Sequence, residues 1–288
     1  MQAINFSYLA HKSLRMFIPD LKGLEPEDYE SEEIEAICTE CGGNTHGGWK
    51  YKLQGDNEWR EYDSSKDGLC LDCSSRKSFE EEMKQNKIRY RESFMNRYWF
   101  IPTDLENAGF KTYERRNNIT TNAANTCIAY VKEFQKGKPE ERHNLLLMGN
   151  PGTGKSHLSV AVARTLREVG FLVGFITTGK LLALIKDTYN RDSDRSENDI
   201  LEDIKKFDLL VLDDLGAEQG NKDEFSWTRK TLFEIINSRL GKPTIYTTNF
   251  NDSNIAEAVG ERIASRLYVK SKFIDLFTDD YRKKLRVI

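Results

Sequence analysis

Gly149-Asn150-Pro151-Gly152-Thr153-Gly154-Lys155-Ser156 decides the fold. The octapeptide fits G-x-x-x-x-G-K-[ST], a loop whose glycines let successive backbone N–H groups turn inward around phosphate oxygens. Its flanks suit that reading. Asn144 to Met148 is a short apolar run of strand type, and His157 to Val169 reads as a helix that stops before Gly170. The positive end of the helix dipole then faces the same anion. Lys155 is expected to reach the β- and γ-phosphates, and the Ser156 hydroxyl to ligate Mg²⁺. His157, in the first helical turn, completes the nucleotide-binding set.

A triphosphate site also needs carboxylates at the end of a neighbouring strand. Asp208-Leu-Leu-Val-Leu-Asp-Asp214 supplies them. Asp213 is assigned to Mg²⁺ and Asp214 to orienting the attacking water. Two more strands read from Phe171 to Thr177 and from Pro243 to Asn249, with helical segments near Leu181–Tyr189 and Trp227–Leu240. Strands alternating with helices predict an α/β domain with a parallel sheet between helical layers. Asn249 ends its strand with an amide suited to the γ-phosphate or the water; the alternative is a turn-starter with Asn251.

The rest of the chain bounds what the protein does. It has 288 residues, 38% hydrophobic and 31% charged, with no apolar run longer than five residues. That excludes a membrane span, which needs ~20 apolar residues. No signal-type apolar core lies in the first twenty residues, so the expectation is a cytoplasmic protein of about two domains. Residues 1–110 carry 14 basic and 21 acidic side chains; the remaining residues carry 29 and 25. The two parts therefore face different partners. Seven acids between Glu25 and Glu35 read as a solvated helix face or a mobile segment.

Cys38-Thr-Glu-Cys41 and Cys70-Leu-Asp-Cys73 stand 28 residues apart. Two thiolates on each of two tight turns complete a tetrahedral zinc site, with Gly42 and Gly43 at the first knuckle. Disulfides are the alternative, which a reduced cytosol disfavours. Four protein ligands leave no open position, so the zinc is structural. His46 reads as a loop residue and Cys127 as a buried helix residue. Residues 74–97 are charged, lack Pro and Gly, and offer pairs such as Glu80–Lys84, so they read as a linker helix. The division expected is a zinc-binding domain at 1–75, a helical linker at 76–104 and a nucleotide-binding domain at 105–288.

Taken together, Gly149–Ser156, Leu209–Asp214 with Leu-Gly-Ala-Glu218, Thr247-Thr-Asn249 and Gly260-Glu-Arg-Ile-Ala-Ser-Arg-Leu267 resemble a family. They are similar to the AAA+ ATPases of the DnaC/DnaI type, which load replicative helicases, and to the IstB-type transposition helpers. The likeness spans about residues 105–288. It implies ATP as the nucleotide, and Arg266 as an arginine finger reaching a neighbouring subunit. Arg262, one turn earlier, is the other candidate, and both arginines alternatively make surface ion pairs. It also implies Arg282 near nucleotide and Phe110-Lys-Thr-Tyr113 near the base. Asp214 stands where the wider AAA+ pattern usually has glutamate, which implies slow hydrolysis.

The resemblance further implies a hexameric replicative helicase as partner, single-stranded DNA as ligand and head-to-tail self-assembly. Asn221 to Lys230 carries aromatics among cations: Phe225 and Trp227 beside Lys222, Arg229 and Lys230. Trp227 alternatively starts a helix as a core residue. Lys180 and Lys186 form a second, more weakly marked cationic pair. The expected function is an ATP-dependent helicase loader at replication initiation. The competing readings are a transposition helper and an adaptor that binds ATP without turnover.

Overall fold

The acidic stretch near the N-terminus is a short 3-10 turn at Pro26–Asp28 and then, from Tyr29, a strand, in which Glu30 and Glu32 alternate and meet lysines spaced the same way. Strand β1 (Tyr29–Ile37) pairs antiparallel with β2 (Asn44–Leu53), which pairs with β3 (Arg60–Asp63). Glu30 lies opposite Lys52 and Glu32 opposite Lys50, with ion pairs of 3.2 and 2.5 Å. This corrects the helix-face or mobile-segment expectation: cross-strand partners twenty residues away are invisible to a local reading. Tyr29 and Tyr51 point inward onto Leu14, Ile18 and Leu21. His46 also departs from expectation. It lies within β2 rather than a loop, its Nδ1 2.7 Å from Glu33 Oε1. Helix α1 (Leu71–Asn96) follows.

The computed structural model describes residues 14–15, 18–63, 68–137, 143–217 and 222–281. The chain divides into two compact units, 1–89 and 90–288.

In the second unit, helix α2 (Asn118–Gly137) precedes β4 (Asn144–Gly149), whose six residues are all buried. Helix α3 (Lys155–Glu168) starts two residues before His157, because Gly154 at φ +92° turns the chain directly into the helix. Then come β5 (Val173–Thr177), α4 (Thr178–Asp187), α5 (Glu197–Lys206), β6 (Leu209–Leu215), α6 (Lys222–Ser238) and β7 (Thr244–Thr248). Two short helices, α7 (Ile255–Val259) and α8 (Glu261–Tyr268), lead to β8 (Ser271–Leu276).

The sheet is parallel throughout, in the order β5-β6-β7-β4-β8. Alternation distributes the strands' apolar residues. Leu146, Met148, Leu210, Leu212 and Tyr246 pack on one face, and Leu145, Leu147, Leu209, Val211 and Ile245 on the other. Cys127 is buried in the second of these layers, as expected. Helix α5 carries a start signal, a capping box in which Ser196 and Asp199 bond each other's backbone N–H. Strand β8 carries little signal, because Ser-Lys-Phe-Ile-Asp-Leu exposes Phe273 and Asp275 on an edge strand. Among the described residues, no helix is long and apolar enough to cross a membrane.

Arg239 sits under the sheet, 1% exposed. Its guanidinium donates to the carbonyls of Ile204, Phe207 and Pro243 and to Thr244 Oγ1, at 2.5–3.2 Å. Burial pulls its pKa down to about 10, so it stays charged at neutral pH. It ties α5 and α6 to the start of β7 by satisfying carbonyls that no water reaches. Arg239→Met is expected to cost at least ~3 kcal/mol, since four acceptors lose their donor. A urea midpoint lowered at constant slope checks this.

Candidate nucleotide site and metal centre

The phosphate loop follows β4, which lies between β7 and the edge strand β8, at the end of the sheet where strand ends converge. Gly152 and Gly154 have φ of +74° and +92°, which side-chain-bearing residues rarely adopt. A Cβ on Gly152 would overlap the Asp280 carboxylate, and one on Gly154 would lie 2.7 Å from the Tyr113 ring. Asn150 and Pro151 are exposed at the rim, and Thr153 Oγ1 donates to the Asn150 carbonyl at 2.9 Å. Lys155 is buried. Its Nζ donates to the carbonyls of Gly149 (2.7 Å) and Asn150 (2.8 Å) and to Asn249 Oδ1 (2.8 Å).

The acids end β6, with β7 between it and β4. Asp213 is 4% exposed, and burial raises its pKa against opposing hydrogen bonds from Thr247 and Ser156. A buried carboxylate beside a serine hydroxyl suits a divalent cation, which supplies the charge that burial otherwise disfavours. The ladder between β6 and β7 shifts register between Leu212 and Leu215, and Asp214 takes φ +61°. Asp214 is thereby exposed, with Asn249 Nδ2 donating to its Oδ1 at 3.2 Å. Asn249 thus bridges Lys155 and Asp214. Ser156, Asp213, Lys155, Asn249 and Asp214 form one connected group.

Thr247 is the residue that sequence reasoning missed. Its Oγ1 donates to Asp213 Oδ1 at 2.7 Å and accepts from the Asp214 N–H at 2.8 Å. One hydroxyl therefore sets both acids. The available signal was the Thr247-Thr248 pair at the end of a short strand, next to Asn249. Thr247→Val keeps the shape and removes both bonds. The expected result is a fall of about 10- to 100-fold in kcat for ATP hydrolysis, with nucleotide affinity within a few-fold. Steady-state hydrolysis and calorimetry check it.

On the other side of the loop, His157 Nε2 lies 3.0 Å from the Gly109 carbonyl and 3.3 Å from Thr112 Oγ1. Tyr113 packs edge-on to the His157 ring. Burial pushes the Tyr113 hydroxyl up to about 12. Phe110 is half-buried in the same layer. The segment before the C-terminus packs onto the loop as well. The Tyr281 N–H donates to the Gly152 carbonyl at 2.9 Å, and Arg116 stacks on the Tyr281 ring. Arg282 and Glu218 lie outside the described residues, as do the side chains of Lys222 and Phe225.

Among the described residues, Arg266 is not joined to this group. It lies on α8 with its guanidinium 4.2 Å from the Phe233 ring centroid, and Arg262 is exposed one turn before it. Trp227 is half-buried against the core and edge-on to Tyr189, while Lys230 is exposed. Arg229 Nη2 donates to the carbonyls of Glu257 (2.5 Å) and Ala258 (3.4 Å), closing the end of α7. Its Nη2 is therefore used internally. Lys180 lies over the Phe100 ring, 5.3 Å from its centroid.

The four cysteine sulfurs of the first unit lie within 4.8 Å of one another, with Cys41 Sγ and Cys70 Sγ 3.7 Å apart. Zn–S bonds of about 2.3 Å in tetrahedral geometry place sulfurs about 3.8 Å apart, so the donor set fits that ion. Backbone N–H groups of Cys41 and Cys70 lower the Cys38 thiol to about 6, whereas hydrogen bonding to Cys70 raises Cys73 to about 12. Four thiols this close cannot all ionise without a cation among them. Cys70 and Cys73 stand at the start of α1, whose dipole favours thiolate.

Known proteins share this architecture. A family model described as IstB-like ATP binding protein matches residues 118–287. The replicative helicase loader DnaC of Escherichia coli (strain K12) is 29% identical over 205 residues, 70% of this chain and 80% of that protein. DnaC of Buchnera aphidicola subsp. Baizongia pistaciae (strain Bp) is 24% identical over 239 residues, 82% of this chain and 90% of that protein. Among solved structures, that of a DnaC helicase loader matches with a TM-score of 0.53 at 28% identity, over 61% of this chain and 99% of that one. The DnaI structure matches with a TM-score of 0.51 at 24% identity, over 62% and 95% respectively, a likeness of fold.

Proposed function

The chain belongs to the IstB-like family of ATP-binding proteins, and from that premise we propose that it is an ATP-dependent loader of a hexameric replicative helicase. It is an AAA+ ATPase, and the loader reading carries this activity to a purpose: placing the helicase on single-stranded DNA at replication initiation. One observation carries the choice. The likeness to the DnaC loader covers 80% of that protein at 29% identity, beyond the phosphate loop alone.

In this reading Gly149–His157 hold ATP, with Lys155 on the β- and γ-phosphates. Ser156 and Asp213 hold Mg²⁺, which supplies charge neutralisation of the phosphates. Asp214 and Asn249 orient the attacking water. Residues 1–75 are the zinc-binding domain that grips the helicase, 76–104 the helical linker and 105–288 the ATPase domain. Cys38, Cys41, Cys70 and Cys73 bind structural zinc. Trp227 and Lys230 meet DNA, with Arg229 contributing what its cap of α7 leaves over. The protein works in the cytoplasm.

ATP joins subunits in this reading: Arg266 of one copy completes the site of the next, a heterologous contact that generates rings or spirals. Arg266→Ala is expected to keep nucleotide binding and lose hydrolysis by about 100-fold or more. Mixing it with Lys155→Ala chains should restore part of the activity, because some interfaces then pair an intact loop with an intact arginine. Unchanged hydrolysis by the Arg266 variant removes the finger role.

The decisive experiment is co-purification of the full chain with a hexameric replicative helicase, with and without ATP. Nucleotide-dependent capture is expected. Capture of a transposase instead, with the helicase ignored, establishes the second reading. The cysteine-bearing first unit, lying outside the matched residues 118–287, favours the loader.

A further inference from the structure

Arg266 is held by residues of another helix, and its restraint is specific. The guanidinium face stacks on Phe233, 4.2 Å from the ring centroid. Its Nε donates to Asn237 Oδ1 at 3.3 Å and its Nη1 to the Arg262 carbonyl at 3.1 Å. Phe233 is half-buried against the core beneath α6, so the platform is anchored. Phe233 and Asn237 lie four residues apart, on one face of that helix. Among the described residues, Nη2 makes no hydrogen bond.

We infer that Phe233 and Asn237 are positioning residues for Arg266, fixing its guanidinium so that Nη2 and the free edge of Nη1 are offered to the nucleotide of an adjoining copy. A free arginine side chain samples many rotamers and loses that freedom when it engages a phosphoryl oxygen. Stacking on an aromatic face and one amide bond remove most of that freedom beforehand. Nε and part of Nη1 are spent on position, while a planar fork still keeps enough donors for a phosphate. A bare surface arginine would have to be ordered at every assembly event. This inference rests on the finger role proposed for Arg266 and adds how that role is prepared.

The test is a double-mutant cycle on the full chain, with kcat and KM for ATP measured alongside nucleotide binding. Phe233→Leu keeps apolar volume but removes the ring face, and Asn237→Ala removes the acceptor. Phe233→Leu is expected to lower kcat about tenfold, equal to about 1.4 kcal/mol, and Asn237→Ala about threefold, with KM and binding unchanged. Phe233→Trp should restore kcat, since a larger ring holds the cation as well. On an Arg266→Ala background neither substitution should lower kcat further. Equal losses with and without Arg266, or a normal kcat for Phe233→Leu, overturn the positioning role. Normal hydrolysis by Arg266→Ala alone instead removes the finger role itself, so the two failures are distinct. A shared fall in thermal midpoint without rescue by Phe233→Trp assigns Phe233 to the core and also overturns the inference.

Discussion

Lys155→Ala abolishes measurable nucleotide binding while the ATPase domain stays folded; this is the largest effect expected in the second unit. The ammonium is buried and donates to the carbonyls of Gly149 and Asn150 and to the Asn249 amide oxygen. Those contacts hold the side chain across the loop, where phosphate oxygens replace neutral acceptors with charged ones. Hydrogen bonds to charged groups contribute about 1.5–3 kcal/mol each. Two phosphate contacts therefore carry about 3–6 kcal/mol, a factor of roughly 10²–10⁴ in affinity. Alanine also leaves Asp213 facing the triphosphate with one positive charge fewer. Calorimetric titration with ATP and Mg²⁺ checks it, circular dichroism serving as the control for folding. Binding within tenfold of the parent chain contradicts the assignment of this loop.

The second large effect is loss of the first unit's fold when its metal is removed. Among the described residues its core is small: Leu14, Ile18, Leu21, Tyr29 and Tyr51, with partly buried Leu24, Trp49, Leu53 and Tyr62 around them. A core of that size leaves little stability once chain entropy is counted. Structural zinc contributes an apparent 10–16 kcal/mol in small domains. Cys70→Ser, or a strong chelator on the parent chain, is therefore expected to open residues 1–89 to protease while leaving nucleotide binding intact. Purified protein should hold one zinc per chain, and cobalt in its place should absorb as a tetrahedral thiolate complex. A chain without metal whose intact mass falls by about four hydrogens carries two disulfides instead, the outcome that reverses this prediction.

Legibility from sequence followed locality. The phosphate loop, the acids Asp213 and Asp214 and the two cysteine pairs were readable because each is a short stretch with a chemical reason for its spacing. Strand β6 was readable because a parallel strand buried on both faces is apolar throughout. Edge strand β8 was not, since its alternation resembles a loop. Glu30 and Glu32 were misread for a related cause: their partners Lys52 and Lys50 arrive only through the β1–β2 register. Trp227, read as either a DNA-facing or a core residue, packs partly against the core.

The residue types for the chemistry were set by the linear order of amino acids: a lysine after two loop glycines, paired acids after an apolar run, four thiols in two turns. These choices need only bond geometry and charge, which neighbours along the chain supply. Tertiary structure alone decided which groups act together. Thr247 reaches both acids across a sheet that shifts register at Asp214, Asn249 joins Lys155 to Asp214, and Phe233 meets Arg266 from another helix. Each of those meetings depends on strand order and helix packing, and contacts between residues tens of positions apart are set by burial of the whole core rather than by any local pattern.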